Sequence, residues 1–559
     1  MSTTLPLGDI NIVAVTDVHS WVAGHGRKEP HLNADYGDVM SFYQHLTDAA
    51  NDQGKDVFFV MNGDFVDGTG LSTIPPDHLT PILEQMPFHA VNMGNHELYH
   101  NETVAFLHES GFIDHWKGNY LTTNTYWQGP DENFVGHPYT YLYGQHSQTK
   151  ILTFGFLYNF EDNCEITKVK RVQETVQMDW FRAVLLNRDY DAILVLAHMD
   201  CIDPLVAIIH KSIRALVGLE IPIQFVNGHS HRRCFHQYDK NTVAFEPGNF
   251  LNTVGFASFP TRHSVQHSDT PPEALYHHVF IDANTQELAE IVGNFSKTEE
   301  GMSLSDFIHN TQDDMGLEHV LGCAPQSYPD DLPVNDTNSL HSLYMRHVFP
   351  FVFGYNDSKV FAQRTGALRY SLFKGEVTVD DLIAVSPFED NVSLAADHIW
   401  GSDILATFGD FLSTARDPSE PPLPFLLSGP GIEPDRLYDV YAGDFDLPRV
   451  RQHLESTTGR NLSPPTLFRY EDGTIVTTSV VWRDFVVHNW PCTFTSFSRR
   501  LEYGQNNDLV FGNNSLICLS VLAVIALFVG ARHSRKSSKE ESGDGKYPVR
   551  DYGSINTMQ

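Results

Sequence analysis

Positive charge is scarce in this sequence: 37 Lys and Arg stand against 70 Asp and Glu, a formal charge of −33 over 559 residues. A nucleic-acid surface needs clustered Lys and Arg, so a nucleic-acid polymer is excluded as a partner. Cysteine is scarce as well. Six are too few for a scaffold built on disulfides. Cys518 lies in an apolar run, and the other five (Cys164, Cys201, Cys234, Cys323 and Cys492) leave at least one thiol without a partner in the chain. Long apolar runs are nearly absent, and no internal repeat is found. What is plentiful is histidine, 29 residues, many of which would protonate in an acidic lumen. With 41% hydrophobic and 12% aromatic residues the chain is globular, long enough for two or three domains.

The one long apolar run, residues 516–531 (LICLSVLAVIALFVGA), sits in a stretch without charge and is followed by Arg532, His533, Arg535, Lys536 and Lys539. A span needs about 20 mostly apolar residues, and basic flanks stay cytoplasmic. A single transmembrane helix over 515–531 is expected, with the preceding residues lumenal or extracellular (a vacuole- or lysosome-like compartment or the cell surface) and 532–559 a cytoplasmic tail. The start, MSTTLPLGDINIVAVTD, has no basic, apolar leader, so this topology predicts a signal segment upstream; insertion by the tail is the alternative. Seven Asn-x-Ser/Thr sequons begin at Asn101, Asn294, Asn335, Asn356, Asn391, Asn461 and Asn513, against about four expected by composition, which favours a lumenal glycoprotein. Tyr552 to Ile555 (YGSI) resembles a tyrosine-based sorting signal for clathrin adaptors.

In the first 290 residues, strand-like runs alternate with helix-like stretches. INIVAVTD, DVFFVMNGD, FHAVNMGN, AILVLAH and IPIQFVNGH each end in Asp, His, Asn or Gly. The spacing of Val39, Phe42, Tyr43 and Leu46 predicts a helix from Tyr36 to Gln53. This alternation predicts an α/β layered sheet with ligands gathered outside the strand ends. CAPQSYPDDLPVNDTNS (323–339) reads as a surface loop or a boundary. The expected organisation is a catalytic domain over 8–297, an α+β domain over 298–500 and a stalk over 501–514.

The strand ends carry Asp17-x-His19, Gly63-Asp64, Gly94-Asn95-His96-Glu97, His198 and Gly228-His229-Ser230-His231. Carboxylate with imidazole suits Zn, Mn or Fe without any thiolate. A shared carboxylate can bridge two such ions about 3.5–4 Å apart, a pair that clamps an in-line displacement at phosphorus.

On these motifs the chain resembles the calcineurin-like metallophosphoesterases over residues 10–290. That resemblance implies a layered metallophosphatase β-sandwich flanked by helices and two divalent metal ions. Asp17, His19, Asp64 and His231 would hold one ion; Asp64 as bridge, Asn95, His198 and His229 would hold the other. His96 would be the catalytic histidine on the transferring phosphoryl group. RTGALRYSLFKGEVTVDDLIAVSPFEDNV (364–392) and LYDVYAGDF (437–445) resemble the C-terminal domain of the 5′-nucleotidases. Carried over by position, Arg369 would bind the nucleotide, and Phe388 and Phe445 would sandwich its base. Taken alone, each ring reads as core. The implied activity is phosphate release from nucleoside monophosphates. Another phosphomonoester, a cyclic nucleotide or a nucleotide-sugar diphosphate stays open, as does a non-catalytic receptor on the same fold.

Three departures stand out. Position 364 is Arg where the family has Asn, the Gly-Gly-Asp-Gly stretch after Phe445 is absent, and Tyr99 replaces the Asp that partners the catalytic histidine. A neutral hydroxyl there predicts activity skewed to acidic pH, unless another carboxylate such as Glu102 or Asp114 fills the gap. Cys201 and Cys234 each follow a presumed ligand by three residues, so the two thiols are expected to pair if both loops rim one centre.

Overall fold

The computed structural model describes residues 3–131, 133–293, 296–409, 425–428 and 431–492. Five strands carry the site: β1 (Ile10–Val15), β2 (Val57–Asn62), β3 (Ala90–Asn92), β4 (Ala192–His198) and β5 (Ile223–Asn227). They fall on the five apolar runs of the sequence and divide between two six-stranded sheets. The first runs His277–Asp282, Thr253–Phe259, β1, β2, β3, Tyr120–Leu121; the second runs Arg233–Asp239, Thr242–Pro247, β5, β4, Lys150–Leu157, Tyr139–Tyr143. Within each sheet the site strands are parallel, so their C-terminal ends and the loops that follow share one edge.

Alternation explains the layering. Ile10, Ile12 and Ala14 face the second sheet with Phe58, Val60, Leu194 and Leu196, in a core between the sheets. Val13, Val15, Phe59 and Met61 face outward, onto helix α1 (Tyr36–Asn51). That helix is started by Asp35 and Asp38 in a reciprocal capping box and buries Val39, Phe42, Tyr43 and Leu46. On the far side, helix Pro204–Val217 packs on Val195 and Phe225. The result is an α/β/β/α sandwich. At the site end the sheets are pinned by amides: Asn62 Nδ2 donates to the carbonyls of Ala197 and Val226, and Asn92 Nδ2 to Asn62 Oδ1.

Helix α2 (Glu299–Asp314) packs back onto α1, with Ser305 Oγ donating to Asp35. The remainder builds a five-stranded sheet (Leu426–Leu427, Lys359–Gln363, Leu437–Gly443, Val392–Trp400, Thr466–Leu467) over a core that includes Tyr344, Phe349, Phe361 and Trp482. Two disulfides are present, Cys201–Cys234 and Cys323–Cys492, and Cys164 is free. Residues 323–339 begin in the strand Val320–Ala324 and then run as a loop to helix Leu340–Leu343. Among the described residues no helix is long and apolar enough to cross a membrane; the 515–531 span, the stalk, the tail and the Tyr552–Ile555 signal lie outside them.

Candidate active site

The loops leaving β1, β2 and β5 turn sharply to aim their side chains at one point. Asp17, His19, Asp64, His229 and His231 all have left-handed backbone, φ from +45° to +75°. Such conformations are costly for a residue with a Cβ and are held here by surrounding contacts. Gly94 and Gly228 leave the room. A Cβ on Gly94 would sit 2.1 Å from Asp64 Oδ1, and one on Gly228 2.7 Å from Asp17 Oδ2. The loops after β1 and β2 are zipped together, the amides of Asp17, His19 and Ser20 donating to the carbonyls of Gly63, Asp64 and Phe65.

Two donor sets form around Asp64. Asp17, His19 and His231 make one, and Asp64, His198 and His229 the other, the donor atoms of each lying within 4.8 Å of one another. Asp64 Oδ2 is 2.9 Å from His198 Nε2 and 3.8 Å from His19 Nε2, so one carboxylate reaches both sets. The far ring nitrogens are already committed. His19 Nδ1 donates to the Val66 and Asp67 carbonyls and His198 Nδ1 to the Asn62 carbonyl, which leaves each Nε2 facing inward. His198 Nε2 is buried without hydrogen-bond geometry despite its closeness to Asp64, and Asn95 Oδ1 is buried with no partner. The unpartnered O and N atoms fit a divalent cation on the Asp64, His198 and His229 set, while in the other set His19 Nε2 and His231 Nε2 converge at 3.2 Å.

The electrostatics separate the imidazoles of His198 and His19, and a cation held by His198 would have to displace its proton. Burial opposes ionisation of Asp64, but His198 and His96 outweigh it and hold its carboxyl well below the usual range. The same carboxylate and Asp17 overcome burial at His198 and push that imidazole up to about 10. His19 is held well below its ordinary value by burial, His96 and Arg369, and is therefore a neutral imidazole, the form a metal ligand must have.

His96 sits at the mouth of this cluster, 4.0 Å from Asp64 Oδ2 through Nε2. Its Nδ1 is 2.9 Å from Asp67 Oδ2. With Tyr99 at the family's Asp position, the sequence leaves His96 without a carboxylate unless Glu102 or Asp114 supplies one. The structure corrects this: Asp67 does, while Glu102 and Asp114 are exposed on their helices. The premise for an acidic optimum therefore falls. Tyr99 instead accepts the Asn95 amide N–H at 3.1 Å and lays its ring edge-on to His96. Burial and the charge of Asp64 push its hydroxyl up to about 12, so it stays neutral.

The second domain closes the site. Arg369 Nη2 lies 3.4 Å from His19 Nε2, and the Phe388 ring is stacked on His96 with centroids 5.9 Å apart. Phe445 is 43% exposed and meets the Tyr99 ring at 5.5 Å, so it is not the core residue that composition alone suggested. Arg364 spreads its guanidinium 4.7 Å from the Phe445 centroid and is anchored by Asp446 at 2.5 Å.

Several residues have supporting roles that their place in the sequence does not announce. Glu97 accepts the backbone N–H groups of Asp64, Phe65, Val66 and Gly94, clamping the turn that presents Asp64. Glu246 does the same for the Gly-His-Ser-His loop through Ser230 and Arg232. Tyr158 stacks on His229 at 4.4 Å. The spacing Gly63-Asp64-x-x-Asp67 was the available signal for the His96 partner; Glu246 and Tyr158 leave no local pattern.

Residues 10–233 match the calcineurin-like phosphoesterase family and residues 328–400 the C-terminal domain of NAD nucleotidase. An uncharacterized protein of Schizosaccharomyces pombe is 30% identical over 422 residues, 69% of each chain. A secreted protein of Arthroderma benhamiae is 26% identical over 442 residues, 70% of this chain and 66% of that one. The 5′-nucleotidase of Candida albicans superposes with a TM-score of 0.76 at 22% identity, over 87% of this chain and 99% of its own, and so shares the fold. With the donor sets at the strand ends of that fold, the chain belongs to the calcineurin-like phosphoesterases, as a hydrolase of the two-domain 5′-nucleotidase architecture.

Proposed function

We propose that this protein releases phosphate from nucleoside monophosphates at a paired-cation site. The observation that carries the reading is that Asp64 belongs to one donor set, lies 3.8 Å from His19 of the other and is faced by His96, while Arg369 and Phe388 reach the same point. Asp17, His19, Asp64 and His231 would hold one divalent ion, and Asp64, Asn95, His198 and His229 the other. Zn, Mn and Fe suit these donors. When bound, such a pair supplies an activated hydroxide and neutralises charge on the phosphoryl oxygens. The chain's own residues do the rest. Arg369 orients the phosphoryl group, His96 holds a proton toward the leaving oxygen, and Asp67 fixes the His96 ring. Phe388 and Phe445 receive the organic part, since stacking needs only a π face.

A second reading, a smaller phosphomonoester, draws on Arg364, whose guanidinium lies over the Phe445 ring. Phosphate release from a panel of nucleotides and sugar phosphates separates the two, with Asp64→Asn as control. Turnover of nucleoside monophosphates that is metal-dependent and lost in the control supports the first reading. Preference for sugar phosphates favours the second, and release unaffected by Asp64→Asn overturns both.

A lumenal or extracellular placement fits the two disulfides, which persist in oxidising compartments, and the secreted relative.

A further inference from the structure

With Asp67 serving His96, position 99 is released from the duty the family resemblance gives it. Its side chain has two other contacts. The hydroxyl accepts the Asn95 amide N–H at 3.1 Å, and Asn95 Oδ1 is left buried with no partner. The ring stands edge-on to His96 at 5.0 Å, to Phe445 at 5.5 Å and to Phe160 at 5.5 Å. A primary amide has two ends of similar size and opposite chemistry, and only its oxygen can serve a cation. Nothing in the shape of the Asn95 side chain chooses between them. A hydroxyl can serve either end of an amide, so the choice is made jointly: Tyr99 accepts from the NH2 end, and a cation on the opposite side takes the oxygen.

We propose that Tyr99 is a positioning residue: it fixes the Asn95 amide so that Oδ1 is the atom offered to the cation shared with Asp64, His198 and His229, and its ring backs Phe445 against the substrate's organic part. The inference rests on the paired-cation reading above. It assigns the Tyr at this position a function that an Asp could not divide in the same way, since a carboxylate there has no ring to set against Phe445. Metal orientation and substrate shape thus meet in one side chain. A residue that merely filled space would affect neither metal affinity nor the balance between kcat and KM.

The test uses the full chain, stripped of metal and titrated with Mn(II) by calorimetry, with phosphate release measured in parallel. Tyr99→Phe keeps the ring and removes the hydroxyl. Affinity at one of two Mn(II) sites should fall about tenfold or more, the scale of lost supporting contacts at metal centres, with the other site unchanged. At limiting Mn(II) kcat should drop and at saturating Mn(II) recover, with KM steady. Tyr99→Leu should show the same loss of affinity and, in addition, a raised KM for a nucleoside monophosphate. Asn95→Asp supplies two equivalent oxygens, so in that background Tyr99→Phe should change Mn(II) affinity by less than about twofold. Wild-type affinity at both sites in Tyr99→Phe overturns the role of Tyr99 alone. Wild-type protein that binds fewer than two Mn(II) ions overturns the paired-cation reading and this role with it.

Discussion

Replacing Asp67 with Asn tests whether the carboxylate behind His96 does the work its geometry suggests. The Nδ1–Oδ2 distance is 2.9 Å, and the two side chains are only 5% and 9% exposed. A charge-assisted hydrogen bond in such an enclosed place contributes about 1.5–3 kcal/mol. If that bond holds the ring through the transition state, its loss lowers kcat by roughly 10- to 150-fold. Asn keeps a weaker neutral hydrogen bond and should fall at the low end, with Asp67→Ala near the high end. KM should move little, because neither group faces the organic part of the substrate. The assay is steady-state phosphate release at saturating Mn(II), so that changes in metal affinity do not enter. A second arm restores a carboxylate from the other side. Tyr99 lies 5.0 Å from His96 between ring centroids, so Tyr99→Asp in the Asp67→Asn background should recover part of the lost rate. A kcat for Asp67→Asn within about threefold of wild type would refute the assignment, as would a double variant no faster than the single one.

Asp380 gives a prediction in pH. It joins the domains by accepting the Gly70 N–H at 2.6 Å, and burial, with Asp381 and Glu318 adding to it, pushes its carboxyl from 3.8 up to about 7. A folded-state value above the unfolded one contributes stability that is full below pH 3.8 and lost as pH rises through about 7. The shift corresponds to about 4 kcal/mol, of which about 2 should survive screening because the side chain lines an open cleft. Urea titrations at pH ~4 and ~7.5 should show that Asp380→Asn flattens the dependence by this amount; an unchanged slope counts against it. Gly94→Ala places a Cβ 2.1 Å from Asp64 Oδ1, so thermal stability should fall by about 2 kcal/mol and Mn(II) binding should be lost. A variant that melts and binds like wild type would show that the turn has room. Cys323–Cys492 closes 169 residues, and its removal through the double Ser variant should cost about 3–5 kcal/mol in denaturant unfolding. A loss below about 1 kcal/mol would mean that the pairing adds nothing to the packing already there.

How much of this was legible in the sequence differs by level. The five strands that carry the site could be read because alternate apolar residues end abruptly in Asp, His, Asn or Gly, and helix α1 ends within two residues of its expected boundary. Sheet order could not be read. Thr253–Phe259 pairs with β1 across more than two hundred residues, and no local pattern announces such a partner. The donor residues were visible as types, and the pairing of Cys201 with Cys234 as a possibility, because loops leaving one sheet edge must share a space. The carboxylates behind them were not. Glu97 and Glu246 find their partners among backbone amides of distant loops, and an amide has the same identity in every residue.

The misread position shows what sequence motifs leave undetermined. A motif fixes that His96 needs a carboxylate but not which loop provides it, because the requirement is a point in space beside Nδ1. The turn after β2 already passes that point. It carries Asp64 to both donor sets, its Val66 and Asp67 carbonyls take the His19 N–H, and Asp67 itself has left-handed backbone at φ +63°, which swings its side chain back toward the cluster. One short turn, clamped by Glu97, therefore supplies the proposed shared ligand, an orienting carbonyl and the carboxylate beside His96. That concentration has a consequence for the second domain. The next residues of the turn are tied to Asp380 through Gly70, so the part of the chain that carries Arg369 and Phe388 is also fastened to the turn beside His96. His96, Arg369 and Phe388 thus share one set of contacts with Asp380, and if they act as proposed, a substitution at Asp380 should alter kcat although Asp380 itself touches none of the three.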